Sequence, residues 1–167
     1  GYQNEAERVR AWYDGYHFGE FDMYCPWDVL NYVYDLQEHE EISQPVSYWR
    51  NTSDNAVIRS FLDHKQNLIT AKLEILLGGG YIIQKIDENL TYDFDRCSDE
   101  NFWSVLYLTG YLTRCREKDL RPEDRNRIRD GFTALMIPNE EIQEIYRDTI
   151  VKWFMESAPS WKPENLG

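Results

Sequence analysis

Residues 69 to 83 read ITAKLEILLGGGYII, and a change of pattern within this stretch decides the fold. The apolar spacing at its start predicts an amphipathic helix that ends at about Leu77. Three glycines follow and fit a left-handed C-terminal cap; a phosphate-binding loop would need the GxxxxGK[ST] spacing, and no lysine follows here. Residues 81–83 are then strand-like. The helical periodicity therefore gives way to short strands at Gly80.

Two further helices are expected after this point. Ser98 is the predicted cap of a helix that is buried, because apolar residues surround most of its circumference between residues 101 and 112. Asn139 is the predicted cap of a long helix with Glu140 and Glu141 in its first turn.

A small antiparallel sheet is expected between and beside these helices. Its predicted strands lie in residues 81–92, 113–118 and 132–137. A charge-rich stretch at residues 119–131, which contains a proline and a glycine, predicts a loop with a helical turn. Helix, strand, helix and two strands joined by a loop is the order of a winged helix-turn-helix, which we place between residues 67 and 139.

Residues before 67 predict a separate, mainly helical part. A helix at residues 5–12 is broken by Asp14-Gly15, a dipeptide suited to positive φ. Two short aromatic runs predict a hairpin, at residues 16–18 and 22–24. Pro26 suits the first position of the next helix, whose apolar stripe consists of Val29, Leu30, Val33 and Leu36. A cluster of capping residues at 52–55 opens a further amphipathic helix.

These patterns predict an α+β fold that is mainly α-helical, in two domains. Residues 1–66 form a helical subdomain with a small hairpin. Residues 67–167 form a winged-helix-like subdomain with a small antiparallel sheet and a long C-terminal helix. At 167 residues the chain can bury one substantial core or two small ones.

Charge and composition exclude several classes of function. The net charge of −12 repels nucleic acid phosphates and anionic membranes at long range. No run of about 20 apolar residues is present, so no membrane span is expected. The three cysteines, Cys25, Cys97 and Cys115, form no CxxC pair, which favours reduced thiols in a cytoplasmic protein.

Five blocks of sequence resemble a family of bacterial AAA-ATPase-like proteins. Residues 12–19 read WYDGYHFG and residues 24–32 read YCPWDVLNY, close to the family's WYDGYxFG and YNPWSVLNYL. Residues 48–55, YWRNTSDN, match its YWxNTSxN segment, and residues 102–113 and 137–142 match two later blocks. Cys25 and Asp28 replace the usual Asn and Ser, and residues 119–131 look like an insertion.

The resemblance implies a place within a larger protein. Such proteins typically begin with a P-loop ATPase core and often end with a nuclease-like domain of the PD-(D/E)XK type. Residues 1–66 look like the lid-like end of the ATPase-like domain, and residues 67–167 like the connecting domain. The Walker lysine and the magnesium-binding acid have no matching positions, so no cofactor is expected in this segment; ATP and Mg²⁺ belong to the parent protein. Arg50 and Arg59 are weak candidates for touching nucleotide there.

An aromatic cluster is the candidate site for contact with the missing ATPase core. Its members are Trp12, Tyr13, Tyr16, Phe18, Tyr24, Trp27, Tyr48 and Trp49. These rings could equally fill a small subdomain that has few aliphatic residues. Neither a catalytic nor a metal site is expected: His17, His39 and His64 are scattered, and no serine or cysteine lies in a recognisable nucleophile setting.

The sequence therefore favours a non-catalytic structural and regulatory module, with a DNA-binding winged helix as the alternative. A recognition helix needs polar and basic side chains for the groove. The helix in that position, residues 101–114, is apolar and has Arg114 as its only basic residue. The presumed wing mixes arginines 121, 125, 127 and 129 with acids, so nucleic acid is an unexpected partner.

Overall fold

The fold is mainly helical with two small antiparallel sheets, which confirms the predicted α+β class. The computed structural model describes residues 3–18, 21–38, 44–49, 66–88 and 99–157. Several predicted features lie outside these ranges: the helix expected after residues 52–55, the part of the 81–92 strand region beyond residue 88, the Ser98 cap, Arg50 and Arg59. Within them, no helix combines the length and apolar character that crossing a membrane requires.

In the described residues of the first part, the chain forms two helices and a hairpin. Its elements are α1 (Gln3–Tyr13), β1 (Tyr16–Phe18), β2 (Phe21–Met23) and α2 (Pro26–Glu38). Gly15, with φ 111°, turns the chain between α1 and β1, as the Asp14-Gly15 pair predicted. Pro26 is the first residue of α2, where its missing N–H costs no hydrogen bond.

In the second part, residues 66–88 and 99–157 form a three-stranded sheet and four helices. Its elements are α3 (Gln66–Leu77), β3 (Ile82–Gln84), α4 (Asp99–Leu108), β4 (Thr113–Arg114), α5 (Arg125–Arg129), β5 (Thr133–Met136) and α6 (Glu140–Ser157). A single 3-10 turn, Glu117–Asp119, lies between β4 and α5. The described elements follow the predicted order of helix, strand, helix and two strands.

Sheet pairing follows the expected ranges. β5 lies in the centre and pairs antiparallel with β3 on one side and β4 on the other. β4 is shorter than the strand predicted at residues 113–118, because the chain turns away after Cys115 donates its N–H to Ala134. Arg116 then pairs with Asp22 of the hairpin. Arg114 lies in this strand, as the range 113–118 predicted, and not at the end of the apolar helix, where the range 101–114 placed it.

Two helix ends confirm their predicted caps. At the end of α3, Gly80 N–H donates to Ile75 O at 2.9 Å and Gly79 N–H to Leu76 O at 3.0 Å. With Gly79 at φ 79°, this is a Schellman cap and not a phosphate cradle. At the start of α6, Ile142 N–H donates to Asn139 Oδ1 at 3.0 Å.

The main core lies in the second part of the chain. It is built from α3, α4, β5 and the first turns of α6, with Leu76, Trp103, Leu106, Leu135 and Tyr146 fully buried. Most of α4 is buried, as its all-round apolar pattern predicted. In the first part, between residues 4 and 49, the described buried apolar side chains are Tyr13 and Tyr32. The described residues of that part therefore form almost no apolar core of their own.

Candidate functional site

The eight aromatic residues of the predicted contact site divide into an inward and an outward set. Tyr13 is buried, and Trp12, Tyr16, Tyr48 and Trp49 are half-buried. Tyr24 and Trp27 are exposed, at 41% and 57% of their surface. Phe18 belongs to β1, and its side chain lies outside the described part. The residues predicted to form one contact surface thus lie in two different places: some pack inside the protein and others are exposed to solvent.

The inward set joins the two parts of the chain. The Tyr16 hydroxyl donates to Gly110 O at 3.1 Å, and His17 N–H donates to Thr113 Oγ1 at 3.1 Å. The Trp49 ring meets Tyr111 edge-on, with centroids 5.7 Å apart. These contacts place the hairpin and residue 49 against the end of α4. The described parts on either side of residue 66 therefore pack together; the position of the domain boundary stays a prediction.

Two acidic side chains meet within this join. Asp28 lies in the first turn of α2 and Glu141 in the first turn of α6, and each is 1% exposed. Glu141 Oε1 accepts from Trp49 N–H at 2.9 Å and from Ser47 Oγ at 3.2 Å. Asp28 Oδ1 is buried without a hydrogen-bond partner among the described residues. Two helix N-termini thus bring their acids together, and one carboxyl oxygen lacks a donor.

The electrostatics of Glu141 follow from this burial. Loss of hydration raises its pKa from the usual 4.5 to about 7, the Trp49 N–H opposes the rise, and the neighbouring Asp28 carboxyl adds to it. A protonated Glu141 could donate to the unpartnered oxygen of Asp28, which satisfies both groups at once. The partial positive charges at the two helix N-termini disfavour a cation here. A shared proton is therefore the species that the geometry accommodates.

Three tyrosines and a cysteine near Glu141 are neutral at physiological pH. Burial raises the pKa of Tyr13, Tyr16 and Tyr48 well above 10. Burial and a hydrogen bond with Asp28 raise the pKa of Cys25 to about 11. A thiol with so high a pKa is a poor nucleophile near neutral pH.

The outward set belongs to an exposed apolar face, which we call the α2 face. Its side chains are Phe21, Met23, Tyr24, Trp27, Leu30, Val33 and Tyr34, exposed between 41% and 75%. The four members on α2 lie on one side of the helix, and the buried Asp28 and Tyr32 lie on the other. Two members of the predicted apolar stripe, Leu30 and Val33, therefore point outward, whereas Val29 and Leu36 are half-buried.

A cavity of about 520 Å³ opens beside the α2 face, between the hairpin, the start of α2 and the end of α4. Met23 and Tyr24 belong to both the cavity and the face, and Leu108, 47% exposed, lies at the far wall. Its volume is in the range of small-molecule and side-chain pockets. The apolar surface thus continues from the face into a recess.

Metal ligands do not gather anywhere in the described ranges: no three His, Cys, Asp or Glu side chains lie together there. His17 Nδ1 contacts Asp22 Oδ1 at 2.8 Å, and Arg116 also pairs with that carboxylate. Burial, followed by the charge of Arg116, lowers the pKa of His17. This cluster ties the hairpin to the sheet.

No protein-family model, curated protein or solved structure matches the chain.

The sequence did not reveal the acid pair or the α2 face. Asp28 and Glu141 each read as an ordinary acid in the first turn of a helix. A usable signal was present in α2, because Asp28 and Tyr32 share a helix side with few aliphatic residues. In such a helix, the side with the polar residues packs against the protein, and the apolar side is exposed to solvent.

Proposed function

We propose that this chain is a non-catalytic structural and regulatory module, the middle segment of a larger cytoplasmic AAA-ATPase-like bacterial protein. In this proposal it couples an ATPase core that precedes it to a nuclease-like domain that follows it. ATP and Mg²⁺ act in the parent protein and not in this segment. The observation that carries the proposal is the inverted orientation of α2, whose apolar side faces away from the rest of the chain.

The energetics of the first part support a missing neighbour. Burying one large apolar side chain contributes about 1.5–3 kcal/mol, so seven exposed ones on the α2 face forgo a large stabilisation. Continuous apolar patches of this kind are typical of interaction surfaces. Tyr and Trp, which carry a polar atom on an apolar ring, suit such a surface. The ATPase core that the resemblance places before this segment is the partner that we assign to the face.

The join between the two parts supports a coupling role. It includes the hydrogen bond that the Tyr16 hydroxyl donates to Gly110 O and the one that Trp49 N–H donates to Glu141. Interfaces of this polar kind allow relative movement more readily than apolar cores do. If the partner displaced α2, the movement would be transmitted to α6 through the contact of Asp28 with Glu141.

The DNA-binding alternative is less well supported. Side chains of α4 from Phe102 to Leu106 are buried, so they are not offered to a groove. A helix that reads bases must present its side chains to solvent in the free protein. This burial favours a structural role for α4, in line with its apolar sequence.

The first test is the sequence that encodes the residues before Gly1. A GxxxxGK[ST] motif between a strand and a helix is expected there, and its absence would remove the proposed partner.

The second test compares the full-length protein with residues 1–167 by hydrogen exchange. Amides of α2 should exchange more slowly in the full-length protein, because the face is covered there. Leu30→Glu should abolish that difference, whereas Ile75→Glu, on the 49% exposed side chain of α3, should retain it. Equal exchange of α2 in both proteins would show that nothing covers the face.

A further inference from the structure

A basic cleft lies on the second part of the chain, in a region that the proposed coupling role does not use. It measures about 600 Å³ and is formed by α3, β3, the segment that leads into α5, and the start of β5. Four basic residues line it: Lys72, Lys85, Arg121 and Arg127. Among the described residues, Asp124 is the one acid of the lining.

The charge of this cleft is opposite to that of the chain. The protein has 30 acidic and 18 basic residues, yet the cleft lining carries four basic residues and one acid. Asp124 Oδ2 accepts from the Tyr81 hydroxyl at 2.6 Å, so this carboxylate is directed toward a neutral donor. Within the described ranges, Lys85, Arg121 and Arg127 form no ion pair. The positive charge of these three side chains is therefore available to a ligand.

Aromatic rings hold two of the cations in place. Lys72 Nζ lies 5.4 Å from the Trp103 ring centroid, and the Arg127 guanidinium lies 5.2 Å from the ring of Phe132. Cation–π contacts of this kind restrict long side chains, and the Arg127 guanidinium keeps its N–H donors for a ligand. The Tyr81 hydroxyl, which also accepts from Arg121 N–H at 3.0 Å, fixes the backbone of the opposite wall.

The wall of the cleft is the edge of the sheet. Six consecutive residues, 80–85, all line it. Alternate side chains of a strand point to opposite faces, so a cleft on one face of the sheet would contact only every second residue. A cleft that contacts every residue of the run must therefore lie along the edge of the strand. β3 pairs with β5 on its other side, and no described strand lies on this one. Its outward N–H and C=O groups can thus receive another strand.

We propose that this cleft binds an extended acidic peptide of a partner protein, added as a strand to the free edge of β3. The peptide's backbone pairs with β3, and its carboxylates face the lysines and arginines of the lining. Strand addition with side-chain contacts on either side is an established mode of peptide recognition. It makes use of both features of the site, the free edge and the positive charge.

Nucleic acid fits these features less well. A phosphate backbone offers no N–H groups for an edge strand, and it uses the cations alone. The net charge of −12 also opposes the approach of a long polyanion, whereas a short peptide meets mainly the local field of the cleft.

The test measures binding of a fluorescein-labelled peptide of about eight residues that alternates glutamate with valine, a length typical of strands. We expect anisotropy at low salt to show binding that weakens as salt is added. Lys85→Glu and Arg127→Glu should each lower the affinity about five- to tenfold, because each replaces an attraction by a repulsion. Arg129→Glu is the matched control, since Arg129 lies on the same short helix, is exposed and does not line the cleft. Equal effects of the three reversals would overturn the site.

Peptide-side controls separate strand addition from charge alone and need no change in the protein. The same peptide with N-methyl groups on alternate amides keeps its charge but loses hydrogen bonds to one edge, so it should bind at least tenfold more weakly. Equal binding of the methylated peptide, or tighter binding of a DNA duplex, would refute the proposal. A dimer of the protein that Arg127→Glu dissociates would also refute it, because the edge would then serve a second copy of the chain.

Discussion

Glu141→Gln is the substitution that best tests the physical account of the join. The glutamine oxygen can still accept from Trp49 N–H and Ser47 Oγ, as Glu141 Oε1 does. Its amide can donate to the unpartnered Asp28 Oδ1, which the charged glutamate cannot do. The variant thus imitates protonated Glu141 at every pH. We expect it to be as stable as the wild type in acid and more stable at high pH.

The magnitude follows from the pKa of Glu141. The folded protein holds the proton up to a pKa of about 7, whereas the unfolded chain releases it near 4.5. Between these values the folded state binds more protons, so the free energy of unfolding falls as pH rises. Each pKa unit is worth about 1.4 kcal/mol, so the wild type should lose roughly 3 kcal/mol of stability between about pH 4.5 and pH 8 through this group. Glu141→Gln should recover about 2–3 kcal/mol at pH 8, and this gain should vanish near pH 5.

Urea unfolding followed by tryptophan fluorescence at pH 5, 6, 7 and 8 measures this difference. Glu140→Gln is the matched control, because Glu140 is exposed in the same helical turn and loses the same interaction with the helix dipole. His17, whose pKa is lowered, makes stability rise with pH in part of this range, but that contribution is common to all three proteins. A gain that is the same at pH 5 and pH 8, or no gain over Glu140→Gln, would refute the reasoning.

Two further substitutions test how the backbone supports the join. Gly15→Ala should destabilise the protein by at least about 3 kcal/mol, because Gly15 has φ 111° and an added Cβ would clash with the Pro138 carbonyl. Gly131→Ala is the control: Gly131 has φ 86° and no atom near the added Cβ, so this substitution should cost only about 1 kcal/mol. Equal losses of thermal stability in the two variants would contradict the close approach of Gly15 to Pro138. Asn139→Ala should cost about 1 kcal/mol through loss of the bond to Ile142 N–H, and Asn139→Ser should restore most of it in the same melting assay.

The sequence predicted most of the described elements, because their signals are local. Three glycines ended α3, Pro26 began α2, and Asn139 capped α6, each through a backbone preference that acts within one turn. The strands of the three-stranded sheet fell within the predicted ranges for the same reason, whereas β2 begins at Phe21, one residue before the predicted run. The end of β4 was missed because a long-range contact decides it. Arg116 leaves the sheet to pair with Asp22, which lies 94 positions earlier in the chain.

The candidate sites were less accessible from sequence, since each depends on distant residues. The acid pair joins positions 28 and 141, and the basic cleft brings Lys72 and Lys85 beside arginines 121 and 127. The charge of the stretch at residues 119–131, taken alone, is close to neutral, so it predicted no binding surface. In the folded protein, two arginines of this stretch line the cleft together with two lysines from other parts of the chain. A local count of charge could not anticipate that sum.

The distribution of buried surface bears on how the module would act. The second part holds the apolar core, and the first part is attached to it by aromatic rings, hydrogen bonds and one buried acid pair. A free energy of a few kcal/mol is enough to change how such an attachment is arranged, and the protonation of Glu141 contributes a free energy of that size. A partner on the α2 face would pull on the same helix that carries Asp28. Binding at that face and protonation of Glu141 should therefore be linked, so that a partner which moves Asp28 away from Glu141 lowers the pKa of Glu141 and releases a proton near neutral pH.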